Sequence, residues 1–123
     1  MKSYRELDVW KLSCELVLEI YRLTAKFPTT DQYELTSQMR RAAISIPSNI
    51  AEGFSRRSPA DNHNFIRIAF GSGAELETQL YLAEQLKFVS ADELVVARGL
   101  LDRVMMMLNK LGQSLSTVRT SSE

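Results

Sequence analysis

The sequence predicts an all-α fold, an antiparallel up-down-up-down four-helix bundle. Three observations carry that expectation. Apolar residues recur at spacings of three and four in four separate stretches. Only five glycines and three prolines are present, too few for the turn density of an all-β fold. The four stretches are joined by connections short enough to force each helix back along its predecessor.

The first helix is expected from about Asp8 to Lys26. Asp8, Lys11, Glu15, Glu19, Arg22 and Lys26 form one narrow polar stripe. Val9, Leu12, Leu16, Ile20 and Leu23 make one apolar side, and Trp10, Cys14, Val17 and Tyr21 make another. A helix packed only within its own chain needs one such side, so the second points to self-association. Phe27-Pro28-Thr29-Thr30-Asp31 interrupts the pattern, with proline disfavouring helix before it and Thr or Asp able to cap the next helix.

The second helix is expected at about 32–52, burying Leu35, Met39, Ala42, Ile46 and Ile50. Pro47 lies inside it and predicts a kink, since its ring crowds the carbonyl of Ala43 and one donor is missing. Gly53 reads as the C-terminal stop. Ser58-Pro59-Ala60-Asp61 is a start signal for a third helix at about 59–87, with Ile66, Ala69, Gly73, Leu76, Leu80 and Ala83 as its seam. The small stretch from Ala69 to Ala74 suggests close helix–helix approach, and it lacks the lysine and spacing of a phosphate loop. Ser90-Ala91-Asp92-Glu93 is a capping box opening a fourth helix at about 91–118. Leu94, Ala97, Leu101, Val104, Leu108, Leu111, Leu115 and Val118 repeat as a heptad. Gly112 is expected to fray its last turns, and residues 120–123 are expected to form a disordered tail.

The 123 residues suffice for one domain, and 45% hydrophobic with 24% charged residues is the balance of a globular chain. Fifteen basic residues offset fifteen acidic ones, so any affinity for phosphate must be local. No apolar run reaches the roughly 20 residues that span a bilayer, and MKSYRELDVW has no apolar core for a signal peptide. A single cysteine excludes an internal disulfide. The expectation is a cytoplasmic protein with no membrane contact.

Candidate chemistry is sparse. His63 is the sole histidine and Cys14 the sole thiol, too few for a zinc or di-metal carboxylate site. Glu75, Glu77 and Glu84 read as solvated helix acids and not as a catalytic pair. No catalytic residue, metal ligand, cofactor or small-molecule substrate is therefore expected. One region stands out: from Arg40 to Arg67 there are five arginines and no lysine, against Glu52 and Asp61 alone. Arginine's planar fork suits phosphate and carboxylate better than lysine's point charge. One reading makes Arg40, Arg41, Arg56, Arg57 and Arg67 contacts for RNA backbone, with Gln38 and Asn49 orienting. The other makes Arg41 and Glu52 a network bracing the proline bend, with Arg56 and Arg57 as solvated loop charges.

The run Leu35-Thr36-Ser37-Gln38-Met39-Arg40-Arg41-Ala42-Ala43-Ile44-Ser45-Ile46-Pro47-Ser48-Asn49-Ile50-Ala51-Glu52-Gly53 resembles the signature of the 23S ribosomal RNA intervening-sequence proteins. Leu7-Asp8-Val9-Trp10, Phe27-Pro28 and the segment from Ala69 to Glu77 resemble other elements of that family. The resemblance implies a four-helix bundle assembling as a ring-like homopentamer. It also implies kinship with accessory proteins of diversity-generating retroelements, which associate with a reverse transcriptase and nucleic acid. Those accessory proteins are strongly basic, whereas this chain carries no net charge. The leading expectation is a non-enzymatic homo-oligomer associated with RNA or a ribonucleoprotein. Its rival is a scaffold that binds a partner protein without nucleic acid. Phosphate binding would weaken steeply with salt, and apolar docking would not.

Overall fold

The computed structural model describes residues 3–28 and 33–122. Four helices are present: α1 Asp8–Thr24, α2 Tyr33–Phe54, α3 Pro59–Gln85 and α4 Val95–Ser122. Single 3-10 turns, Tyr4–Glu6 and Asp92–Leu94, precede α1 and α4. No strand occurs among the described residues. α2 packs on α1 and α3, and α4 packs on α3 and α1, so the four close into a bundle. Between α3 and α4, contacting residue numbers rise on one helix as they fall on the other. Glu84 meets Arg98 near the α3–α4 connection, Gly73 lies against Met105, and Ile66 faces Gly112.

The core is the set of seams that the periodicity defines. Leu16, Ile20, Met39, Ile46, Ile50, Ile66, Leu76, Leu80, Leu94, Leu101 and Leu108 are all fully buried. Their removal from water is the main favourable contribution to folding, about 1.5–3 kcal/mol for each large side chain. Leu35, Leu111 and Leu115 are half-buried against this core, and the side chain of Val118 lies outside the described residues.

The ends of the helices follow local chemistry. The α1 helix stops at Thr24, two residues before the expected end. Lys26 and Phe27 donate to Leu23 and Thr24 in a tightened last turn, and Phe27 swings into the core. The expected caps at 29–31, and residue 32 with them, lie outside the described residues. α2 stays helical across Pro47 and through Gly53 to Phe54. Gly53 is thus not a stop, and no glycine has a positive φ. A Cβ at Gly53 would come within 2.5 Å of Asn62 Oδ1 and 3.1 Å of Phe65 Cβ, so this glycine permits α2 and α3 to approach. Gly73 plays the same part against Met105 of α4, whose thioether would overlap an added Cβ.

The α3 helix opens as expected, with Ser58 Oγ accepting from the Asp61 amide at 3.3 Å. It closes at Gln85 in a Schellman motif that the sequence does not advertise. Phe88 N–H donates to Ala83 O and Lys87 N–H to Glu84 O, with Lys87 at φ 63° where glycine is usual. The capping box before α4 is reciprocal: Ser90 N–H donates to Glu93 Oε1 at 3.0 Å, and Glu93 N–H donates to Ser90 Oγ at 3.3 Å. α4 continues through Gly112 to Ser122, so helical backbone covers 120–122 of the expected tail. Glu123 lies outside the described residues.

Candidate nucleic-acid interface

The five arginines are a cluster in sequence and three separate groups in space. Arg40 is half-buried on the α1 side of α2. Its Nε donates to Thr24 Oγ1 at 2.8 Å, and its guanidinium lies 4.4 Å from the centre of the Tyr21 ring. Arg40 therefore ties α2 to α1 through Nε, and its Nη2 lies a further 3.5 Å from Tyr21 O. Arg41 is exposed and makes no ion pair among the described residues. It borders a shallow groove of about 330 Å³ with Tyr21, Thr36, Ser37 and Ile44.

Glu52 does not pair with Arg41. Eleven residues separate them, about 16 Å along a helix, and the bracing network foreseen between them cannot form. Glu52 instead accepts from Arg56 Nη2 at 3.2 Å, one turn on. Arg56 also lies 5.0 Å from the Phe65 ring centre. Arg57, in the α2–α3 connection, is exposed. Arg67 stands on a different flank, exposed beside the α3–α4 groove. The α1–α2 groove of Arg40 and the α3–α4 groove of Arg67 lie on opposite sides of the bundle, because each is formed by the helix pair that excludes the other.

Gln38 is exposed and donates to Glu34 Oε1 at 3.3 Å, one turn back along α2. Asn49 turns back along α2. Its Nδ2 donates to Ser45 O at 2.8 Å and to Ser45 Oγ at 2.9 Å, and Ser45 Oγ lies 2.8 Å from Ser72 Oγ of α3. The two segments most distinctive in sequence, Ser45–Asn49 and Gly71–Gly73, therefore meet each other at a helix interface. Much of that signature maintains the α2–α3 contact.

The apolar side of α1 is only partly free. Trp10, Cys14 and Val17 are half-buried, and Trp10 stacks edge-on against Tyr4 with centroids 5.5 Å apart. Burial pushes the Cys14 thiol up from its ordinary value, which disfavours the nucleophilic thiolate. Tyr21 is 39% exposed. The most exposed apolar residue of α1 is one the helical wheel passed over: Leu18, at 71%. Ile44 of α2, at 41%, continues this surface across the groove it shares with Tyr21.

Among the described residues no group of His, Cys, Asp or Glu could hold a metal ion, and no helix is long and apolar enough to cross a membrane. Comparison with solved structures gives a match to a protein of unknown function from the S23 ribosomal protein family of Bacteroides thetaiotaomicron. It has a TM-score of 0.63 and 23% identity, covering 90% of this chain and 97% of that one. This likeness shows a shared fold. No curated protein matches the sequence. The profile of the 23S rRNA-intervening sequence proteins matches residues 5–110, which include three whole helices and most of the fourth. The chain belongs to the 23S rRNA-intervening sequence protein family.

Proposed function

We propose that this protein is a non-enzymatic homo-oligomer, with five subunits as the favoured number, that associates in the cytoplasm with RNA or a ribonucleoprotein. The observation that carries the RNA reading is that Arg41, Arg57 and Arg67 are exposed and make no ion pair among the described residues. Arg56, in a half-exposed pair with Glu52, adds a fourth charge that a phosphate could draw away at small cost. Separate flanks suit this better than one patch would, since a folded RNA presents phosphates over a broad surface. Oligomerisation would repeat each weak contact and raise the overall affinity. The family's description, which names an insert in 23S rRNA, supports the same direction.

The test is binding of a structured RNA across a salt series starting at about 50 mM, where log affinity should fall linearly with log salt. Replacing Arg56 and Arg57 together by Ala should flatten that slope while leaving helicity unchanged. No binding by the intact oligomer at the lowest salt would overturn the RNA reading. A second reading, a scaffold for a partner protein, draws on exposed Leu18, Tyr21 and Ile44. That surface would bind with little dependence on salt.

A further inference from the structure

Around Arg67, on the side of the bundle away from Arg40, lies a feature that contact with RNA backbone alone does not explain. A groove of about 460 Å³ runs between α3 and α4, within the size range of sites for small organic ligands. Its apolar wall is Ile66, Phe70 and Leu108, with Phe70 39% exposed. Polar groups stand along the same groove. Arg67 is exposed without an ion pair among the described residues, and Asn109 presents an exposed amide. His63 Nδ1 is buried and has no hydrogen-bond partner among the described residues. Such a nitrogen is costly to leave unpaired.

The two glycines of this groove point the same way. Glycine weakens a helix interior relative to alanine, and at Gly53 and Gly73 close packing explains it. Gly71 and Gly112 have no such reason, a state they share with Gly99 outside the groove: a Cβ at Gly71 meets nothing within 4 Å, and one at Gly112 meets only Ile66 Cγ2, at 3.9 Å. Neither has a positive φ. Both line this groove, and side chains there would narrow it.

We propose that the α3–α4 groove binds one nucleotide, its base against Phe70 and its phosphate on Arg67. An aromatic face beside a guanidinium fits a flat base joined to an anion. The Asn109 amide supplies both a donor and an acceptor for the base edge. The source is either a free nucleotide or an unpaired residue of an RNA strand. The site stands independently of the RNA reading, because a free nucleotide is sufficient.

The experiment is amide NMR of the full chain titrated with adenosine monophosphate to about 5 mM, which detects dissociation constants up to the millimolar range. Shifts are expected on both walls, around His63–Gly71 and Asn109–Gly112. Adenosine, lacking the phosphate, should bind about tenfold more weakly, and Arg67→Ala should abolish that difference. Gly71→Leu should fill the groove and remove binding. Phe70→Ala, a change at an exposed position, should weaken both ligands and serves if Gly71→Leu does not fold. No shifts with adenosine monophosphate, shifts confined elsewhere, or an unchanged phosphate preference in Arg67→Ala would overturn the proposal. A single-stranded oligoadenylate that binds the groove more tightly than the monophosphate identifies an RNA strand as the source. Equal or weaker binding identifies the free nucleotide. Loss of structured-RNA binding in the Arg56/Arg57 variant with this site intact would separate the two readings.

Discussion

Arg40 stands among the arginines by number and apart from them by what it touches. Its bond to Thr24 Oγ1 and its place over Tyr21 join α2 to α1. A charged donor on a neutral acceptor is worth about 1.5–3 kcal/mol when buried, and partial exposure lowers that. Arg40→Ala should therefore destabilise the fold by about 1–2 kcal/mol, read as a lower urea midpoint, with RNA affinity unchanged. An unaltered midpoint with reduced affinity would reverse the assignment. The sequence showed that arginines were concentrated here but not which were free. Numbers that run together along a chain are spread by a helix around its axis and along its length. Only the partner helix decides that Arg40 is held while Arg41 is not. Gly53 carries the same lesson. A glycine late in a helix is consistent with a left-handed cap or with close packing, and Asn62, which decides between them, comes from another element.

At the scale of elements, the central parts of the seams were legible because burial follows a simple period. The interior of α4 was read residue for residue from Leu94 to Leu108. Ends were legible where the capping residues are local, as at Ser58 and Ser90, and illegible where they break preference. Lys87 occupies a left-handed site without any glycine to announce it. Lys87→Gly should stabilise the protein by about 0.5–1 kcal/mol, measured by chemical denaturation; a loss of stability would mean that the lysine side chain contributes more than its backbone costs. The capping box before α4 makes a prediction in pH. Hydrogen bonds from Ser90 hold the Glu93 carboxyl below the usual carboxylate range. Its ionised form thus favours the folded state above the ordinary carboxylate value, and that contribution is lost as pH falls through the lowered value. Wild type should melt above Glu93→Gln at pH near 7, and the gap should close below pH of about 4. A gap that persists in acid would show that the charge is not the cause.

At the scale of the whole molecule, the surface left over by the bundle bears on assembly. Leu18, Tyr21 and Ile44 remain exposed on the α1–α2 flank after the core is complete. Light scattering should return a mass several times the 14.0 kDa of the chain. Leu18→Glu is the variant that separates assembly from folding, since Leu18 is 71% exposed whereas Val17 also packs on the core. An unpaired charge at a buried interface costs several kcal/mol, so this change should yield a folded monomer. A monomeric wild type at micromolar concentration would end the idea. The excess of apolar surface on α1 was visible in sequence, but its most exposed member was not, because the wheel cannot say where a neighbouring helix will lie.

The contact between α2 and α3 has a consequence for the order in which the molecule comes apart. Ser45, itself held by the Asn49 amide, is joined to Ser72 at mid-helix, and Gly53 receives Asn62 near the connection. Shape at one point and polar pairing at another fix both the depth and the register of this helix pair. Sliding either helix by one turn would separate the hydroxyls and drive Asn62 against a side chain. The remaining helices are held chiefly by apolar seams, which tolerate small displacements better. Thermal opening should then proceed in unequal steps, with α1 and the distal turns of α4 exchanging amide hydrogens early. The α2–α3 hairpin would be the last cooperative unit to yield.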